Sequence, residues 1–123
     1  MANALLLCTS LMMLWGHMQA VHHTSHRLLQ VSYVLGPLTS ILNHATTSRY
    51  AQLADRITMT LGFLFDMFII ILFHGQMQKA AAPIVGAVVA YLLAKQYPAA
   101  QRVFHPLAHL LVTIGHQQLA KDA

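Results

Sequence analysis

Five apolar stretches, each close to the thickness of a bilayer, alternate with short polar segments along this chain. They run from Ala4 to Val21, Leu28 to Ala45, Leu53 to Phe73, Ala80 to Tyr97 and Val103 to Leu119. A helix rises 1.5 Å per residue, so a run of about 18 residues is long enough to cross a hydrocarbon core. The pattern predicts an all-α fold, a polytopic transmembrane helix bundle of about five helices, with residues 1–123 forming a single transmembrane domain. Gly36-Pro37 interrupts the second run and predicts a kink one turn ahead of Ser40, where a proline frees a backbone carbonyl. Pro98 closes the fourth run, and Pro106 falls in the first turn of the fifth, where proline costs little. A cleaved signal peptide ending near Met18-Gln19-Ala20 is the competing reading of the first run. The lack of a positively charged segment ahead of it counts against that reading.

Composition strengthens the membrane assignment. Hydrophobic residues make up 57% of the chain and charged residues 8%, against about 25% charged in soluble domains. Mean hydropathy is +0.57. The net charge of +4 does not point to nucleic acid, because the seven Lys and Arg are scattered singly between the apolar runs. Positive-charge bias leaves the orientation open, with Arg49, Arg56, Lys95 and Arg102 on one side and Arg27, Lys79 and Lys121 on the other. Cys8 is alone, so the chain forms no internal disulfide.

The chemistry is carried by polar residues inside or beside these runs. Glutamate is absent, and the three acids are Asp55, Asp66 and Asp122. Nine histidines require a reason inside a membrane. Ser40 and His44 are four apart, as are His105 and His109, so each pair shares a helix face. His22 and His26 have the same spacing on a polar loop, where they read as solvated residues or a peripheral metal site. Trp15 and His17 lie toward the end of the first run, where rings reach the membrane interface. Asp55, in the first turn of the third run, reads either as a charge complementing the helix dipole and paired with Arg56 or Arg49, or as a reactive carboxylate. Asp66 sits mid-run and is expected to face the interior, lining a cavity or proton path or bonded to His74 or Tyr33.

Five alternating crossings bring the end of the second run, the start of the third and the start of the fifth to one face of the membrane. His44, Asp55, His105 and His109 then lie at one level. Three imidazoles, a carboxylate and a hydroxyl on three helices are the makings of a zinc site.

The order Ser40-x-x-x-His44, then Asp55, then His105-x-x-x-His109 in the last membrane segment resembles the CREST superfamily, which includes alkaline ceramidases and adiponectin-receptor-like membrane proteins. The spacing is most similar to that of the alkaline ceramidases. The resemblance implies a zinc-dependent hydrolase of a lipid amide. It implies His44, His105 and His109 as zinc ligands, Asp55 as the residue that holds or deprotonates a metal-bound water, and Ser40 as its support. The family has seven helices and an acidic N-terminal signature. This chain has about five helices and lacks that signature, which makes it a reduced or partial relative.

Two other classes fit the histidines. A haem-binding electron carrier would clamp iron between paired imidazoles, His44 with His105 or His109, or His17 with His74. Its visible colour separates it from a zinc protein. A structural or accessory membrane protein would use its histidines as satisfied polar contacts. The expected partners are the bilayer, a membrane lipid substrate and, through the small-residue face of the fourth run, a second copy of the chain.

Overall fold

In a computed structural model the described residues, 2–24, 27–72 and 78–122, form five long helices: α1 (Ala2–Val21), α2 (Arg27–Ala45), α3 (Arg49–Leu72), α4 (Gln78–Gln96) and α5 (Gln101–Asp122). A single 3-10 turn, Pro98–Ala100, joins α4 to α5. His26 and His74 lie outside the described residues, and with them the loop pair His22/His26 and the pair His17/His74.

The helices follow the apolar runs closely, with one informative difference. α3 begins at Arg49, a turn ahead of Leu53, and the Ser48 hydroxyl accepts the Ala51 backbone N–H at 3.4 Å. The serine caps the helix, so Asp55 lies beyond the first turn and the dipole reading of that residue falls. α2 continues through Pro37 without a break. Its buried stripe is Leu29, Tyr33, Pro37, Ser40 and His44, one residue per turn on one face.

α4 and α5 pack most extensively, followed by α1 on α2 and α1 on α5; α3 packs on α2 and only lightly on α4. Most of the small residues of α4 are spent inside this chain. Ala80, Ala87, Ala90 and Ala94 are buried, and a Cβ added at Gly86 would sit 3.4 Å from Leu111 Cδ1. Within this chain α5 covers that face of α4, while Ala82 of the same run stays exposed. α4 and α5 approach closely at Gly115, where a Cβ would lie 2.5 Å from Ile84 Cγ1 and 3.3 Å from the Ile84 backbone nitrogen. Gly115→Ala is expected to lower stability by about 1–3 kcal/mol through overpacking. Gly86→Ala should be neutral or stabilising, because its Cβ meets only ordinary contact and alanine favours the helix by about 1 kcal/mol. Unfolding in mixed micelles would compare the two.

An apolar cluster of Ala20, Leu29, Tyr33, Ile69, Ala80, Ile84, Leu119 and Ala120 fills one end of the bundle. Polar side chains are buried as well: Ser10, His17, Ser40, His44, Asp66, His109, Thr113 and His116 lie inside, beside Leu6, Met13, Ala87, Ala90, Ala94 and Ala108. Many large apolar side chains point outward, among them Leu35, Leu42, Leu61, Phe68, Val89 and Leu110. Among the described helices, α1 alone carries a stretch long and apolar enough to cross a membrane, Ala4–Val21 with a mean hydropathy of 1.4. Trp15 on that helix is 65% exposed, whereas His17 is 2% exposed and faces the interior, which removes it from the interface.

Candidate metal centre

His44 ends α2, and His105 and His109 occupy successive turns near the start of α5. Antiparallel packing brings these helix ends together. The rings of His44 and His105 are 5.0 Å apart between centroids, those of His44 and His109 5.3 Å, and those of His105 and His109 4.9 Å. One nitrogen from each lies within 4.8 Å of the other two. Ligands of a tetrahedral zinc with Zn–N bonds of 2.0–2.1 Å lie about 3.3 Å apart, so small ring rotations would close the group on an ion.

The hydrogen bonds around the group fix which nitrogens are free. The Thr9 hydroxyl donates to Leu6 O at 3.1 Å. Its oxygen, 2.8 Å from His109 Nδ1, has no second proton to give and accepts the Nδ1–H. The Ser10 hydroxyl donates to Leu6 O at 2.8 Å, so it accepts the Ser40 hydroxyl proton at 2.8 Å. Ser40 Oγ then lies 3.4 Å from His109 Nε2 with its proton already committed. Assigned from this pattern, His109 is the Nδ1–H tautomer and its Nε2 lone pair has no donor. His44 Nε2 is likewise buried without a hydrogen-bond partner. A buried imidazole nitrogen left unpaired, as at His44 Nε2, is costly, and a metal ion held by the group would satisfy a lone pair there. Fixing a ligating histidine through its other ring nitrogen is a common feature of metal sites; Thr9 plays that part here.

Asp55 lies beside the group without belonging to it. It lines the same cavity as His105 and His109, and its Oδ2 accepts the Asn43 side-chain N–H at 2.7 Å. Among the described residues the one ion pair is His116 with Asp66, so the expected pairing of Asp55 with Arg49 or Arg56 gives way to Asn43. All five residues singled out in the sequence, Ser40, His44, Asp55, His105 and His109, thus meet at one end of the bundle. Thr9, Ser10 and Asn43 were not anticipated. Nothing in their spacing marks them, and only the packing of α1 against α5 and of α2 against α3 brings them in.

Asp66 is 1% exposed and faces the interior as expected. Among the described residues its partner is not Tyr33 but His116, whose Nε2 lies 2.5 Å from Asp66 Oδ2, while the His74 alternative lies outside the described residues. Tyr33 stacks its ring on His116 at 4.7 Å between centroids instead.

The cavity has a volume of about 290 Å³ and is walled by all five helices, α1 contributing Met13 and His17. Met59 of α3 and Leu92 of α4, both exposed, are among its lining residues. An opening between these two helices, which touch each other only lightly, would face sideways. Comparison with protein-family models, with characterised proteins and with solved structures finds no match to this chain.

Proposed function

We propose that this chain is a multi-pass membrane protein that hydrolyses an amide bond of a lipid, using a zinc ion held by His44, His105 and His109. The observation that carries the reading is the three-histidine group itself, beside Asp55, with His44 Nε2 buried and unpartnered among the described residues. The membrane part rests on the inverted distribution of polarity, with leucine, valine and phenylalanine outside and histidine, serine and aspartate within. Contiguous apolar exterior is uncommon in soluble monomers, and intramembrane polar groups are expected to face the bundle interior.

Zinc bound by three imidazoles supplies a Lewis acid and a water acidified to a pKa of about 7. The remaining work falls to side chains. Asp55, held by Asn43, accepts a proton through its carboxylate and returns it to the leaving amine. Thr9 fixes the His109 ring, and Ser40, bonded to Ser10, closes the wall behind it. A sideways mouth between α3 and α4 would admit an acyl chain directly from the bilayer, so that the amide reaches the histidines without passing through water.

Elemental analysis of detergent-purified protein tests this first. One zinc per chain is expected in the wild type and none in His44→Ala. A folded wild-type protein without metal, after exposure to zinc, would sink the reading and favour an accessory role.

A further inference from the structure

The interior holds a second polar array that the zinc reading does not use. His17 Nδ1 lies 2.7 Å from Met13 O, His17 Nε2 lies 2.7 Å from His116 Nδ1, and His116 Nε2 lies 2.5 Å from Asp66 Oδ2. A carbonyl only accepts, so His17 Nδ1 carries a proton. Each of the three links needs one proton. Two neutral imidazoles and one carboxylic acid supply three. The array is therefore saturated at zero net charge, either with a neutral acid or as an imidazolium–carboxylate pair. Saturation leaves one acceptor over: Asp66 Oδ1, buried and without a hydrogen-bond partner among the described residues.

This array and the three-histidine centre are two layers of one design. Seven residues separate Ser10 from His17, Tyr33 from Ser40 and His109 from His116, which is two helical turns, or about 10.5 Å. His17, Asp66 and His116 line the same cavity as Asp55, His105 and His109. Between the layers its wall is apolar, including Pro37, Phe63, Ala87 and Val112.

We propose that Asp66 anchors the far end of an amphiphilic ligand, its Oδ1 accepting a hydrogen bond from a hydroxyl on an aliphatic chain about two helical turns from the group presented to the three histidines. Zero net charge in the array suits a neutral hydroxyl better than an ammonium. The inference deepens the proposed function in taking this cavity as the substrate site, but it does not depend on zinc.

The test compares 8-hydroxyoctanoate with 8-methoxyoctanoate by titration calorimetry in detergent, on the metal-free and the zinc-loaded protein. The hydroxyl probe donates, whereas the methyl ether only accepts. A hydrogen bond to a carboxylate predicts at least about tenfold tighter binding of the hydroxyl probe, in both metal states. Asp66→Leu removes the acceptor, so the preference should vanish. A merely steric effect of the methyl group would leave it unchanged. Equal affinities in the wild type overturn the proposal, a comparison that needs no variant, and so does an unchanged ratio in a folded Asp66→Leu protein. If zinc fails to bind while the tenfold preference persists, the zinc reading fails and the anchor stands.

Discussion

Replacing His116 by leucine is expected to lower the unfolding free energy by about 2–6 kcal/mol, the cost of leaving two buried hydrogen-bonding groups unpaired at about 1–3 kcal/mol each. His116 satisfies Asp66 Oδ2 on one side and His17 Nε2 on the other. Its loss orphans two buried groups in one step. The double variant Asp66→Leu/His116→Leu should recover part of the loss, because replacing both partners of a buried hydrogen bond by apolar groups can be nearly neutral. Only His17 Nε2 then remains unpaired, at about 1–3 kcal/mol. Reversible unfolding of the wild type, both single variants and the double variant would complete the cycle. If His116→Leu is as stable as the wild type, the array holds nothing together.

The largest effect on activity is expected at Asp55. Asp55→Asn should lower kcat on a short-chain lipid amide in mixed micelles by about 10²–10⁴, the usual contribution of a positioned proton acceptor. Zinc content should not change, because Asp55 lies outside the group close enough to share the ion. The amide oxygen of the new side chain can still accept the Asn43 N–H, so the local packing is preserved. Full activity in a zinc-replete Asp55→Asn protein would place the base elsewhere.

The first polar layer was legible in the sequence because its members announce themselves by spacing. Ser40 with His44, and His105 with His109, fall one turn apart, and alternating helices bring those turns to one level. The second layer carries no such local signature. His17 and His116 have no i,i+4 partner that joins them to Asp66, and their pairing is decided by which helix lies across from which. Residues near in sequence, such as His74, are the natural expectation for Asp66, yet α5 supplies the partner from 50 residues away. The recurring step of seven, from Ser10 to His17 and from His109 to His116, is the one signal that would have revealed it. The alanines and glycines of α4 were read correctly as a close-packing face, but composition does not say whether that face meets a neighbour in the same chain or in another. The start of α3 was hidden because Arg49 and Tyr50 look like loop residues until Ser48 is seen to cap them.

Both interior carboxylates, Asp55 and Asp66, ride on α3, while the histidines they serve belong to α1, α2 and α5. α3 is also the helix with the lightest hold on the rest, packed on α2 and barely on α4. Swinging α3 outward to widen the cavity mouth would draw both acids away from their imidazoles together. Both acids thus travel with one helix, so the two polar layers are complete together only with α3 in place.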